Sequence, residues 1–239
     1  SRAIVPMLAV RHGPPVAHGQ PGKCRLCRAA RRVTLGRMQS APIDFYFDFS
    51  SPYSYIASEW VDAVAARHGR TVNWHAILLG ATFQAAELKS PVSYPIKREY
   101  AIRDFARSAR HAGVPFVLPE KFPVPTQNAA RVFWWLHDAV EPARAAAWGR
   151  AGLRAMFTRG VDLSDAAQLK TLAAEFGLEA EAAERVWQDA RWKERLKREN
   201  DAAIAAGVFG APFFIVDGEP FWGHDRRGQM ERWLEHGPY

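Results

Sequence analysis

Strand patterns at both ends of a long helical stretch are the feature that most constrains how this chain folds. Residues 43–49 (IDFYFDF) alternate in polarity and are rich in aromatic side chains, which is typical of a strand. Ser51-Pro52 then predicts the start of a helix that ends at His68-Gly69, and residues 71–78 predict a second strand. This order indicates a βαβ unit with a right-handed crossover.

Helical periodicity fills the chain from there to about residue 207. We predict helices near residues 94–112, 126–140, 142–159, 164–176 and 179–206, with Ser164 capping the fourth and the proline-rich segment 114–125 as an extended connector. Strand signals return at residues 211–216 and 219–222, and Asp217-Gly218 between them is a strong hairpin signal. A last helix is predicted from about residue 225 or 226 to residue 235.

The order βαβ, helices, ββα places the chain in the α/β class. Because strands do not leave unpaired edges against an apolar core, the two ends are expected to meet in one sheet, with the helices standing off it. We therefore predict three parts: a basic N-terminal extension (1–41), a domain built from residues 42–80 and 207–239, and an all-helical insertion domain (81–206).

The distribution of charge excludes several classes of function. Residues 1–43 carry eight Lys or Arg and no acid, which leaves 24 of the 32 basic side chains against 25 acids in the rest. The folded part is thus nearly neutral, and we expect it not to bind nucleic acid. No apolar run is long enough to span a membrane and no secretory signal is evident, so we expect no membrane partner and a cytoplasmic location. The Arg-rich, acid-free composition of the extension weakly resembles that of a transit peptide, and Met38, just before the first strand signal, is an alternative start.

Both cysteines lie in the extension, as the CRLC motif of Cys24 and Cys27. The motif could be half of a zinc site, a redox pair, or a pair of cysteines without a function. We favour the last, and expect no bound metal, because His12 and His18 do not give the spacing of a common zinc finger. From Asp44 onward there is no cysteine, so this part of the chain forms no disulfide and offers no thiol nucleophile of its own.

Two motifs carry a resemblance to a known family: residues 44–55 (DFYFDFSSPYSY) and residues 221–226 (FWGHDR). With the GVFGAP segment at 207–212 and the element order, they resemble the DsbA-like group of thioredoxin-fold proteins. Within that group the chain is similar to the kappa-class glutathione transferases and the bacterial 2-hydroxychromene-2-carboxylate isomerases. The resemblance covers residues 43–236. It implies a thioredoxin fold (βαβ…ββα) with a helical insertion, glutathione as cofactor, a small aromatic substrate and a homodimer.

The SPYS motif at residues 51–54 stands where thiol-disulfide oxidoreductases of this fold carry Cys-x-x-Cys. A hydroxyl cannot form a disulfide, which excludes that activity for the folded part. The start of a helix stabilises an anion, and the resemblance implies that Ser51 donates a hydrogen bond to the thiolate of glutathione. The alternative is that Ser51 only caps the helix.

The resemblance also implies a set of glutathione contacts. Lys97, at the start of the first long helix of the insertion, contacts glutathione, with a solvated lysine as the alternative. Ala211 pairs through its backbone with the cysteinyl part, and Pro212 is expected to follow a cis bond. Asp225 is the countercharge for the γ-glutamyl group, with His224 beside it. The alternatives are a helix cap for Asp225 and a plain surface position for His224.

The second substrate is predicted to meet mainly aromatic side chains, which suit a flat apolar ligand but also commonly build protein cores. The predicted residues are Tyr53, Phe83, Gln84, Phe122 and Trp222. Two positions depart from the family pattern. Leu88 replaces an asparagine that anchors glutathione, and Gln84 replaces a lysine that the isomerases carry in the loop after the second strand.

Three functions follow as hypotheses. The first is a glutathione-dependent isomerase resembling 2-hydroxychromene-2-carboxylate isomerase, an enzyme of aromatic catabolism, in which glutathione adds reversibly to a conjugated substrate and is not consumed. The second is a kappa-like glutathione transferase, which keeps the adduct. The third is a non-catalytic thioredoxin-fold protein that binds a partner by strand addition at the edge beside Pro212.

Overall fold

The computed structural model describes residues 41–239. Its four strands are β1 (Ile43–Phe47), β2 (Val72–Ala76), β3 (Phe213–Val216) and β4 (Glu219–Trp222). The helices of this part of the chain are α1 (Pro52–Ser58), α2 (Val61–Arg67), α3 (Leu79–Ala85), α4 (Pro95–Ala112), α5 (Gln127–Ala139), α6 (Pro142–Arg159), α7 (Ala166–Glu175), α8 (Ala180–Gln188), α9 (Ala190–Ala205) and α10 (Arg227–His236). Short 3-10 turns cover Pro91–Ser93 and His224–Arg226. The CRLC motif and Met38 lie outside the described residues.

The strands form one sheet in the order β2-β1-β3-β4. β1 runs parallel to β2 and antiparallel to β3, and β3 pairs antiparallel with β4 through the Asp217-Gly218 turn. Asp217 and Gly218 both have positive φ, of 54° and 87°, as a tight hairpin turn requires. The segment with β1 and β2 and the segment with β3 and β4 therefore meet in one sheet, and the predicted βαβ…ββα thioredoxin fold is confirmed.

The first helix is shorter than its sequence pattern predicts. The backbone leaves the helical conformation at Trp60 (φ −126°, ψ −20°), so that α1 ends at Ser58 and α2 begins at Val61. Trp60 is buried and its ring packs 5.3 Å from that of Phe214 on β3. The apolar periodicity continues across this break, which is why the sequence indicated one helix over both segments.

The insertion contains more helices than predicted. Helix α3 was missed, because its seven residues follow directly on the second strand signal. The predicted helix 179–206 is two helices, since Asp189 is extended and its carboxylate accepts the Arg191 N–H at 2.8 Å as the cap of α9. Asp165, not Ser164, caps α7, while Ser164 donates its hydroxyl to Asp162. The last helix, α10, begins at Arg227 after the 3-10 turn.

The insertion does not stand off the sheet as predicted but packs on both of its faces, with α5 and α6 on one face and α9 on the other. The Phe47 ring of β1 lies 5.4 Å from Phe133 of α5, and both belong to one continuous core. Helix α6 also lies close to the end of β1. A Cβ on Gly152 would lie only 2.5 Å from the Phe49 ring. Across residues 41–239, no helix combines the length and apolar character needed to cross a membrane. The predicted domain boundaries stay a prediction.

Candidate active site

A cavity of about 1120 Å³ lies at the end of the sheet where β1, β2 and β4 end and β3 begins. Four segments surround it: the loop after β1 (residues 48–51), the start of α3, one face of α4, and the connector between α4 and α5 (residues 113–126). The cis-proline loop (residues 210–212) and the 3-10 turn at His224–Arg226 complete the lining. The thioredoxin part and the insertion therefore both contribute to it.

Ser51 lies in this cavity at the start of α1. Its hydroxyl oxygen accepts the Ser54 N–H at 3.1 Å, so it caps the helix, and the hydroxyl donates to the Ala211 carbonyl at 3.2 Å. The second distance is longer than an ordinary O–H···O bond, so this contact is weak. The Ala211-Pro212 bond is cis, as predicted. The helix break at Trp60 limits α1 to seven residues, so its dipole is small. An anion at this position would therefore be stabilised by the Ser51 hydroxyl more than by the helix dipole.

A buried carboxylate, Asp48, holds three of these segments together. One oxygen accepts the Ser50 N–H at 2.6 Å and the Thr126 hydroxyl at 3.1 Å, and the other accepts the Leu79 N–H at 2.6 Å. Burial raises the pKa of Asp48, and the hydrogen bonds from Leu79, Ser50 and Thr126 act in the opposite direction. The loop after β1, the start of α3 and the connector are thus fixed through one side chain.

A second polar group links α1 to α4. The Tyr53 hydroxyl donates to Asp104, which also pairs with Arg107. Burial and the hydrogen bond to Asp104 raise the pKa of Tyr53. Burial by itself would raise the pKa of Asp104, but the hydrogen bonds from Tyr53 and Arg107 lower it overall. The Tyr53 ring stacks on His224 with centroids 5.0 Å apart.

Most of the side chains predicted for the second substrate do line the cavity. Tyr53, Phe83, Phe122 and Trp222 all contribute, and Trp222 is half exposed. The Trp222 indole packs on Gly210, where a Cβ would lie 2.6 Å from the ring nitrogen. Gln84 is an exposed residue of α3 and is not part of the lining.

Most of the residues predicted to contact glutathione also line the cavity, but one does not. Ala211, Pro212, His224 and Asp225 line the cavity. Lys97 does not: it is exposed on α4, with its ammonium 4.8 Å from the centre of the Tyr94 ring. Leu88, at the position of the family asparagine, is exposed and likewise outside the lining.

The turn after β4 shapes the position of Asp225. Gly223 has a φ of 112°, and a Cβ at this residue would collide with the Asp225 carboxylate. Asp225 pairs with Arg226 at 2.7 Å. His224 is partly buried rather than on the surface, and burial lowers its pKa, so its imidazole is neutral at neutral pH. Within residues 41–239 we find no group of three or more His, Cys, Asp or Glu arranged to hold a metal.

Sequence reasoning missed the contribution of α4. Tyr100, Asp104, Arg107 and His111 line the cavity from this helix. Their spacing of four, three and four residues places them on one helical face, which is a signal present in the sequence. Nothing in that spacing states which structure the face meets, so the contact itself required the tertiary fold.

Comparison with known proteins shows the family to which the chain belongs. The model of the DsbA-like thioredoxin domain matches residues 42–235, and the chain belongs to this family. A 2-hydroxychromene-2-carboxylate isomerase of Sphingobium xenophagum is 30% identical over 194 residues, covering 80% of this chain and 97% of that protein. A kappa 2 glutathione S-transferase of Caenorhabditis elegans is 27% identical over 214 residues, covering 80% and 91%.

Solved structures agree with the sequence relatives. A structure of 2-hydroxychromene-2-carboxylate isomerase superposes with a TM-score of 0.73 at 27% identity, covering 81% of this chain and 94% of that one. A probable DsbA oxidoreductase from Streptomyces coelicolor, at 18% identity and a TM-score of 0.66, shares the fold. The predicted resemblance is confirmed, and the chain is an enzyme of the kind that includes these isomerases and kappa-class transferases.

Proposed function

We propose that the chain is a glutathione-dependent isomerase that acts on a conjugated aromatic acid of the 2-hydroxychromene-2-carboxylate type. The observation that carries this proposal is the Ser51 hydroxyl, which lies beside the cis-proline loop in a large, aromatic-lined cavity. The family membership favours an enzyme over the non-catalytic alternative. The homodimer, the cytoplasmic location and the role of Lys97 remain predictions.

The residues of the cavity fit glutathione. The backbone of Ala211 borders the cavity beside Ser51, where an extended cysteinyl group can pair with it. Asp225 and Arg226 lie together on the same side and offer one charge of each sign, which matches the ammonium and carboxylate of a γ-glutamyl group. Glutathione binding is therefore proposed on the thioredoxin side of the cavity.

Ser51 then has a specific task. Its oxygen is already occupied by the Ser54 N–H, and its proton makes only the weak contact with Ala211. That proton can turn toward the sulfur of a bound thiol, and a hydrogen bond to the charged form lowers the pKa of a thiol from its usual ~8.5. When bound, glutathione supplies a thiolate that adds reversibly to a conjugated double bond and makes it a rotatable single bond.

The cavity is large for a site that holds a single ligand. Sites for single drug-sized ligands commonly occupy about 300–1,000 Å³, and this cavity measures about 1120 Å³. Phe83, Phe122 and Trp222 give the remaining space an aromatic lining that suits a flat substrate. Holding both ligands in one cavity turns their encounter into an intramolecular step.

A kappa-like transferase is the second candidate, because a kappa relative matches 80% of this chain. The two activities differ in the fate of glutathione, which an isomerase releases and a transferase leaves in the product. Turnover of a conjugated aromatic acid with the glutathione concentration monitored separates them. Constant glutathione supports the isomerase, and its stoichiometric loss supports the transferase.

The first experiment is calorimetric titration of the full chain with glutathione, combined with the ultraviolet absorbance of the bound thiolate. Ser51→Ala is expected to retain binding and lose the thiolate signal at neutral pH. Ser54→Ala is the matched control, because its buried hydroxyl makes no hydrogen bond to any described residue. A wild-type chain that does not bind glutathione, or a Ser51→Ala variant with undiminished thiolate, contradicts the proposal.

A further inference from the structure

The basic side chains of the cavity lining identify a residue that can bind the acid group of the second substrate, an inference that rests on the proposed function. Four residues with basic side chains line the cavity: Arg107, His111, His224 and Arg226. Arg226 is paired with Asp225 on the side proposed for glutathione. His224 stacks on Tyr53 and is partly buried. Arg107 and His111 remain, and both line the cavity from α4.

Arg107 is held in place by its neighbours. Its Nη2 donates to Asp104 and, at 3.2 Å, to the Tyr100 hydroxyl, and its guanidinium lies 5.4 Å from the centre of the Tyr100 ring. Asp104 is in turn fixed by the Tyr53 hydroxyl. Both of the bonds from Arg107 use the same nitrogen. A guanidinium carries five N–H donors, so Nη1 and Nε keep donors for a planar carboxylate.

Aromatic side chains line the same cavity as this arginine. Phe105, two residues earlier on α4, packs against Tyr53 with centroids 5.1 Å apart and against Phe122 with centroids 5.8 Å apart. These three rings connect α4 to the connector and to α1, the helix that Ser51 caps. A flat substrate with a carboxylate at one end therefore meets rings along its body and a positioned cation at its end.

We propose that Arg107 binds the carboxylate of the second substrate and makes the enzyme selective for aromatic acids over their neutral analogues. This assignment moves carboxylate recognition away from the loop after β2, where Gln84 is uncharged, exposed and outside the cavity lining. Arg107 is a specificity-determining residue in this arrangement, and Asp104 and Tyr53 are its positioning residues.

The test compares an acid with its neutral isostere, without any need for turnover. Chromone-2-carboxylate and chromone-2-carboxamide are titrated into the full chain, with and without saturating glutathione, and binding is followed by calorimetry. The wild-type chain is expected to prefer the acid by about tenfold, the scale of one charge-assisted hydrogen-bonding pair at a partly exposed site. Arg107→Gln is expected to abolish this preference and to leave glutathione affinity unchanged.

Arg103→Gln is the matched control. Arg103 lies one turn earlier on α4, is strongly exposed, and does not line the cavity. This variant is expected to keep the full preference for the acid. An Arg107→Gln chain that still prefers the acid, or an Arg103→Gln chain that loses the preference, overturns the assignment. Absence of glutathione binding in the wild-type chain refutes the proposed function alone, because the acid preference is also measured without glutathione.

Discussion

The two ends of β1 each carry an aspartate, and they are stabilised in opposite ways. Asp44, at the start, accepts from Asn73 at 3.2 Å and lies 3.1 Å from His75, whose other ring nitrogen lies 2.7 Å from Glu199 of α9. Asp48, just beyond the end, has no cationic partner among the described residues and is held by two backbone N–H groups and a hydroxyl. One end uses ion pairs and the other uses neutral donors.

The pKa shifts follow this difference. Burial acts to raise the pKa of Asp44, but hydrogen bonds from His75 and Asn73 lower it overall. For Asp48 burial prevails and the pKa is raised. The first cluster attaches α9 to the sheet and does not line the cavity, whereas Asp48 does. The end of β1 that supports the site is thus built without a cation.

The largest expected effect is on stability when Asp48 is removed. Asp48→Ala leaves two backbone N–H groups and the Thr126 hydroxyl buried without an acceptor, and we expect the free energy of unfolding to fall by about 4 kcal/mol. Chemical denaturation monitored by tryptophan fluorescence measures it. Because the same bonds hold Ser50, the thiolate signal of bound glutathione is expected to weaken as well.

Asp44→Ala is the control at the other end of the strand. Asp44 is partly exposed, so water can replace its contacts, and the expected loss is about 1 kcal/mol with no change in glutathione binding. Equal losses for the two variants would show that the two ends of β1 are equivalent and that the comparison is wrong.

The sequence revealed the partners of Asp48 less well than the motifs around it. The SPYS motif, the Ala211-Pro212 pair and the hairpin could be placed because each is a local pattern with a specific backbone geometry. The partners of Asp48 could not, because Leu79 and Thr126 are contributed by α3 and by the connector, 31 and 78 residues further along the chain. Hydrogen bonds over such distances leave no periodic signal.

The same reason explains the errors in the helices. Periodicity located the apolar faces correctly but did not show the breaks at Trp60 and Asp189, where the apolar spacing continues while the backbone turns. The insertion was also expected to stand off the sheet. That expectation was wrong because Gly149 and Gly152 let α6 approach Phe47 and Phe49 closely, and a glycine in a helix gives no sign of what it packs against.

The second prediction concerns His75 and pH. Burial would lower the pKa of His75, but hydrogen bonds to Asp44 and Glu199 raise it to about 9, above the ordinary value of 6.5. The folded chain therefore keeps a proton that the unfolded chain releases. This stabilisation is complete below pH 6.5 and is lost as the pH rises to about 9. Since part of the imidazole is exposed to water, we expect a loss of about 2 kcal/mol over this range.

Denaturation curves collected from pH 6 to pH 10 check this expectation. His75→Gln keeps hydrogen-bonding groups but cannot be charged, so its stability is expected to be lower at pH 6 and nearly constant up to pH 9. A wild-type chain whose stability does not fall between these values contradicts the assignment of an imidazolium at this end of the sheet.

The smallest expected effect on stability comes from removing a single hydroxyl, that of Thr126, at the end of β1 that lines the cavity. Thr126→Val preserves the shape of the side chain and removes one of the three donors to Asp48, which keeps both backbone bonds. The Thr126 side chain does not cap α5, so the helix itself is unaffected. We expect a loss of about 1 kcal/mol, the value of one hydrogen bond to a buried polar group.

The effect on binding separates this role from a general loss of stability. Thr126 lies in the connector beside Phe122, so its release from Asp48 should raise the KM for the aromatic acid and leave glutathione affinity unchanged. Thr82→Val is the control, since Thr82 is equally buried but donates only to the Leu79 carbonyl of its own helix, at 3.2 Å. If both variants raise the KM alike, the Thr126 hydroxyl has no specific effect on substrate binding. Asp48 then stabilises only the loop after β1 (residues 48–51) that carries Ser51.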